Sequence, residues 1–115
     1  MQVGTRETGP GRVVLTPVGE IDMVSVPALE QAVDALLDQR RVVEIVIDLA
    51  DVPFLDSTGV ATLLHGAAEA VGRGATLRVA NPQPVVARVL RITAVDALLG
   101  WSGDSSAEPG GGRLD

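Results

Sequence analysis

Cysteine is absent from the 115 residues, which excludes disulfides and thiolate metal sites. Tyrosine is absent too. Aromatics reach 2% where hydrophobic residues reach 46%, so a core here has to be filled by Val, Leu, Ile and Ala. No apolar run approaches the about 18 residues that a membrane span requires. Basic residues number 9 against 15 acidic ones, and the net charge of −6 excludes a nucleic-acid binder that relies on phosphate neutralisation. Acidity favours solubility and steers the chain towards a basic patch on a protein partner, with an affinity that falls as salt rises. The opening Met1-Gln2-Val3-Gly4-Thr5-Arg6 has no charged segment leading into an apolar stretch, which predicts no signal peptide. The length fits one domain with a modest core, and these exclusions predict a cytoplasmic protein.

What the chain does have is an alternation of strand and helix patterns. Val3 to Thr8 reads as a short strand, Gly9-Pro10-Gly11 as a turn, and Val13 to Val18 as a second strand. Pro17 places that second strand at an edge, or marks its end. A first helix starts after Ser25 or Val26 with Pro27 in its first turn, where a missing N–H is harmless. Its inward stripe is Leu29, Val33, Leu36 and Leu37, while Glu30, Asp34 and Asp38 point away. Val42 to Leu49 is apolar nearly throughout, as expected of a largely buried strand.

A second helix runs from about Ser57 to Val71, with an apolar stripe of Val60, Leu63, Leu64, Ala67, Ala68 and Val71. Gly72-Arg73-Gly74 stops it. Ala75 to Ala80 is the next strand, and Asn81-Pro82-Gln83-Pro84 opens a third helix that turns Val85, Val86, Val89 and Leu90 inward. Arg88 and Arg91 fall on its outer face as solvated charges. Leu98, Leu99 and Trp101 form a last apolar segment, so the domain spans residues 1–101. Residues 102–115 are Gly, Ser, Pro and acidic residues in the main, the composition of a disordered tail. The pattern predicts an α/β architecture: a small, mixed, partly parallel sheet packed by helices.

The most informative stretch is Asp56-Ser57-Thr58-Gly59, where the apolar approach through Val52, Phe54 and Leu55 hands over to the second helix. Two readings apply. Asp and Ser are common N-caps, and Gly59 allows close packing in the turn, so ordinary capping explains the four residues taken alone. A hydroxyl at a helix N-terminus is also a place where the fold tolerates a phosphate, because backbone N–H groups there are unpaired. Phosphate on Ser57 would rewrite the local charge, which is the behaviour of a switch.

Three blocks around this motif resemble the STAS domain family, in particular the anti-sigma factor antagonists of bacteria. They are Val18-Gly19-Glu20-Ile21-Asp22 with Val26-Pro27-Ala28-Leu29; Ile47-Asp48-Leu49 with Val52 and Phe54 to Val60; and Gly74 to Val79 with Pro84 to Leu90 and Thr93-Ala94-Val95. They stand in the family's order and spacing across about residues 12 to 99. The resemblance implies a regulatory binding protein and not an enzyme, with Ser57 as phosphorylation site and Asp56, Thr58 and Gly59 shaping the turn that a kinase meets. It implies an anti-sigma factor partner that is itself a serine kinase, bound when Ser57 is free and released on phosphorylation, and a serine phosphatase that restores binding. ATP and Mg²⁺ belong to the kinase, so no cofactor is expected here. The alternative role within the family is an accessory subunit of a transport ATPase or of a stress-sensing assembly.

Asp22 is implied to lie near the phosphorylation site and has two readings, a partner contact or a loop cap. On the second helix, Thr58, Thr62, His65 and Glu69 fall opposite the apolar stripe and extend the candidate partner face. His65 is the one histidine, and an exposed helix position explains it better than a metal role without further ligands. Many antagonists carry a second glycine where this chain has Ala61, a difference that bears on the partner more than on the fold. Neither a phosphate-binding loop nor Gly-x-Ser-x-Gly is present.

Overall fold

A computed structural model describes residues 1–92 of the chain. The predicted closing segment at Leu98, Leu99 and Trp101 and the predicted tail lie outside the described residues. The elements are β1 (Gln2–Gly9), β2 (Arg12–Val18), α1 (Val26–Leu37), β3 (Glu44–Asp48), α2 (Ser57–Gly72), β4 (Thr76–Ala80) and α3 (Pro84–Ile92). They build the α/β fold expected, with strands in the order β1-β2-β3-β4. The β1–β2 hairpin is antiparallel, and β2–β3 and β3–β4 are parallel, each crossover carrying a helix.

In register, Leu15 lies beside Ile47 and Ile47 beside Val79. These residues, with Val13, Ile45 and Leu77, point to the face that receives Leu29, Val33 and Leu36 of α1, Val60 and Leu63 of α2, and Val86 and Leu90 of α3. Burying each large aliphatic side chain contributes about 1.5–3 kcal/mol, and this shared core holds the helices to one face of the sheet. Between β1 and β2 the chain turns at Gly11, whose φ of 74° suits glycine. Its carbonyl accepts from Val43 N at 2.8 Å and Glu44 N at 3.1 Å, so the hairpin turn also sets the start of β3.

Several expectations change in the folded chain. β2 is an inner strand, so Pro17 marks its end and not an edge: pairing with β3 stops at Leu15. β3 is shorter than Val42 to Leu49 and alternates, with Ile45 and Ile47 buried and Glu44, Val46 and Asp48 half-buried on the opposite face. There Glu44 sits between Arg12 at 3.7 Å and Arg78 at 3.2 Å. On α2, Ala68 and Val71 are exposed, while Gly66 and Ala70 take the buried positions. A Cβ at Gly66 would stand 3.3 Å from Leu77 Cδ1 and 3.6 Å from Val33 Cγ1, so the helix approaches β4 and α1 too closely for larger groups. Val85 of α3 is exposed, and Ala87 is buried in its stead.

Candidate functional site

Beyond β3 the chain is pinned before it reaches α2. Leu49 N donates to Ala80 O at 2.8 Å, Asp48 Oδ1 accepts from Ala50 N at 3.0 Å, and Leu49, Val52 and Leu55 are buried. The segment then runs parallel to the one leaving β2: Ile21 and Leu55 form a β-bridge, with Ile21 N donating to Phe54 O at 2.9 Å and Asp56 N to Ile21 O at 3.2 Å. Gly19 N adds a bond to Asp51 O at 3.0 Å. Two loops distant in sequence are thus joined side by side at the C-terminal end of the parallel strands. Among the described residues the strand order never reverses, so the sheet itself has no topological switch point.

Asp56 is the N-cap of α2, in an extended conformation with φ −99° and ψ −176°. Its Oδ1 accepts from Thr58 Oγ1 at 2.6 Å and from Gly59 N at 2.9 Å. These bonds, the Thr58 hydroxyl first and the Gly59 N–H second, hold the carboxyl below its usual pKa. Ser57 follows as the first residue of α2, exposed and with no hydrogen bond to its hydroxyl among the described residues. It lies at the positive end of the helix dipole, where an added anion is favoured. Gly59 is buried against the neighbouring loop.

Asp22 reaches the same end of the fold through the Ile21 bridge, and its own bonds are those of a cap. Its Oδ1 accepts from Val24 N at 3.0 Å and Ser25 N at 3.1 Å, while Ser25 Oγ accepts from Asp22 N at 3.0 Å. This reciprocal exchange works in the manner of a capping box and closes the turn of residues 22–25 that leads into α1, whose own N-cap, Ser25, makes no side-chain cap bond.

The fold therefore brings Asp22, Asp56, Ser57, Thr58 and Gly59 together. Thr62, His65 and Glu69 continue along α2, and at 1.5 Å per residue Glu69 is about 18 Å along the axis from Ser57. Thr62 is half-buried and donates to Thr58 O at 2.9 Å. His65 is exposed, with Nε2 3.7 Å from Glu69 Oε1. No group of three His, Cys, Asp or Glu is arranged to hold a metal ion among the described residues. Nor is any helix among them long and apolar enough to cross a membrane.

Sequence reasoning missed an apolar component of this end. Met23 is 72% exposed, Val24 86% and Phe54 43%. Phe54, part of the apolar approach in the sequence, is turned outward by the alternation that buries Leu55. Met23 and Val24 carried one legible signal: two large apolar residues between an Asp and a Ser, outside any periodic run.

No curated protein matches the chain. Among solved structures, an anti-sigma factor antagonist from Mycobacterium paratuberculosis is 32% identical, with 90% of this chain and 88% of that one covered and a TM-score of 0.74. The unphosphorylated anti-sigma factor antagonist SpoIIAA is 22% identical, covers 84% of each chain and has a TM-score of 0.73. The phosphorylated form of SpoIIAA, a Bacillus cell fate determinant, is 20% identical over 85% of this chain and 87% of that one, at 0.67. The murine anion transporter Slc26a9 shares the fold over 73% of this chain but 14% of its own, at 17% identity and a TM-score of 0.65. A family model described as "Mlab, STAS domain" matches residues 5–100. Because that match runs from within β1 past the end of α3, it takes in every element that builds the Ser57 turn, and the chain belongs to the STAS domain family.

Proposed function

We propose that the protein is an anti-sigma factor antagonist switched by phosphorylation of Ser57. One observation carries this reading: an exposed serine hydroxyl, free of hydrogen bonds among the described residues, stands first in a helix whose cap is already satisfied by Asp56. Similarity to an antagonist at 32% identity supports it. In its unphosphorylated form the protein binds an anti-sigma factor in the cytoplasm and so frees the sigma factor. The anti-sigma factor is also a serine kinase, which transfers the terminal phosphoryl group of ATP to Ser57 Oγ as the hydroxyl proton departs and ADP is released. A serine phosphatase hydrolyses the phosphate and restores binding. The chain contributes a surface and an acceptor oxygen, and catalysis belongs to its partners.

Release on phosphorylation follows from the charge around Ser57. Residues 19–25 and 50–59 carry Glu20, Asp22, Asp51 and Asp56 and no Lys, Arg or His. A phosphate of about −1.5 to −2 charge set among them meets like charge, and inside a partner interface it also loses hydration.

The test has two parts. The kinase should label wild type and leave Ser57→Ala unlabelled. A folded Ser57→Glu chain should lose its anti-sigma partner, and retention of wild-type affinity sinks the switch. In native cells, intact mass should show a species about 80 Da heavier that phosphatase removes.

A second reading, an accessory subunit of a transport ATPase or a stress-sensing assembly, draws support from the occurrence of this fold as 14% of an anion transporter. Co-purification separates the two: a soluble kinase supports the first and a membrane ATPase the second.

A further inference from the structure

Sulfur enters the chain only as the thioethers of Met1 and Met23. Both lie at the end of the sheet that carries Ser57: Met1 precedes Gln2, which pairs with Val18, and Met23 stands on the loop that follows β2. Met23 is 72% exposed and Met1 39%, so an oxidant that meets the folded chain finds Met23 the more accessible. The backbone on either side of Met23 is fixed. Ile21 is buried and bridged to Leu55, Asp22 Oδ1 accepts from Val24 N and Ser25 N, and Ser25 Oγ donates to Glu20 O at 2.7 Å. This held loop turns Met23 and Val24 out to solvent, and Phe54 of the bridged segment is exposed as well. Large apolar side chains exposed together mark an interaction surface. Of the three, only Met23 has a side chain whose polarity a mild oxidant changes.

We propose, on the reading of the Ser57 end as the partner surface, that Met23 is an oxidation site at which a peroxide turns the thioether into the sulfoxide and loosens the partner. The Sδ lone pair attacks one peroxide oxygen and forms the S–O bond as the O–O bond breaks. The departing hydroxide takes the proton of the transferred oxygen and leaves as water. Sulfur gives up two electrons, and the peroxide gains them. A reductase dithiol reverses the step, removing the oxygen as water and closing to a disulfide. The sulfoxide is neutral but polar, so it withdraws apolar contact and leaves the charge of the surface unchanged. Phosphate on Ser57 instead adds about −1.5 to −2 charge and alters no apolar side chain. The two modifications therefore act on one surface through different physics. Because Met23 is exposed, its oxidation removes no core packing and leaves folding stability unchanged.

To test this, the full chain is treated with hydrogen peroxide, and its binding to the anti-sigma factor kinase is titrated before and after. The expected result is a gain of about 16 Da that maps to Met23 ahead of Met1, with a loss of affinity of about tenfold. Treatment with the two methionine sulfoxide reductases, one for each epimer, should restore both mass and affinity. Met23→Leu, which keeps the apolar surface without sulfur, should bind like wild type before and after peroxide. Met23→Gln, polar from the start, should bind as weakly as the oxidised chain. Oxidised wild type that binds unchanged overturns the proposal, as does peroxide that modifies Met1 and spares Met23, or Met23→Leu that loses affinity on treatment. A fall in the urea midpoint of the oxidised chain overturns it too, since the effect then comes from the fold. Retained affinity in Ser57→Glu together with lost affinity on oxidation removes the phosphorylation switch and keeps this site. An untreated chain that binds no anti-sigma factor removes the proposed function, and this partner effect with it.

Discussion

Gly59 lies against Ile21 with no space for a side chain between them: a Cβ at 59 would stand 2.8 Å from Ile21 Cγ2 and 3.1 Å from Ile21 O. It would also meet Leu55 Cδ1 at 2.5 Å. All three contacts involve the residues of the bridge that joins the two loops of the site. The glycine of the motif is therefore a packing requirement of the site's foundation.

Gly59→Ala should destabilise the fold by about 1–3 kcal/mol, the usual cost of forcing a methyl into a packed core. Its intrinsic helix gain, under about 1 kcal/mol, does not offset this. Urea denaturation measures it, and a variant as stable as wild type would mean that Ile21 and Leu55 can withdraw.

Asp56 predicts a pH dependence with a definite sign. Its folded pKa lies below the ordinary value because of Thr58 and Gly59, so its contribution is present above the unfolded pKa and is lost as pH falls through the folded one. Stability curves of wild type and Asp56→Ala should differ at pH 7 and converge below about pH 4. A gap that persists at low pH would assign the stabilisation to something other than the ionised cap.

Thr62→Ala combined with Glu69→Ala should leave stability within about 0.5 kcal/mol of wild type, as for most surface changes, because their bonds are local to α2. Under the proposed function the pair weakens anti-sigma binding. Calorimetric titration with that partner decides it, and unchanged affinity confines the contact to the turn at Ser57.

Met23→Ser with Val24→Ser should not disturb folding, since both side chains are exposed. Loss of their apolar surface should weaken partner binding by about tenfold or more, with little change in its salt dependence. A steep change in salt dependence with affinity retained would point to the carboxylates as the main contact.

Much of the site was legible because its bonds are local. Asp56 caps Gly59 three residues on, Pro27 sits in the first turn of α1, and Gly74 follows the end of α2 with φ 79°. Each depends on a few consecutive residues, so the letters suffice. The core stripe of α1 was readable for a related reason: Leu29, Val33, Leu36 and Leu37 are large, and all are buried. On α2 the same reasoning failed at Ala68 and Val71, because a helical wheel ranks positions by hydropathy, whereas close approach to Leu77 and Val33 selects for small residues such as Gly66.

The sequence by itself determined the alternation of strand and helix, the caps, and a serine at a helix start, all matters of short-range periodicity and hydrogen bonding. The tertiary structure decided that residue 21 pairs with residue 55, that Asp22 and Asp56 stand on adjoining loops, and that Met23, Val24 and Phe54 face solvent beside Ser57. Those relationships join segments more than thirty residues apart, held by the parallel register of β2 and β3. Register is a property of the whole sheet, set by which faces bury together, and no local stretch of the chain encodes it.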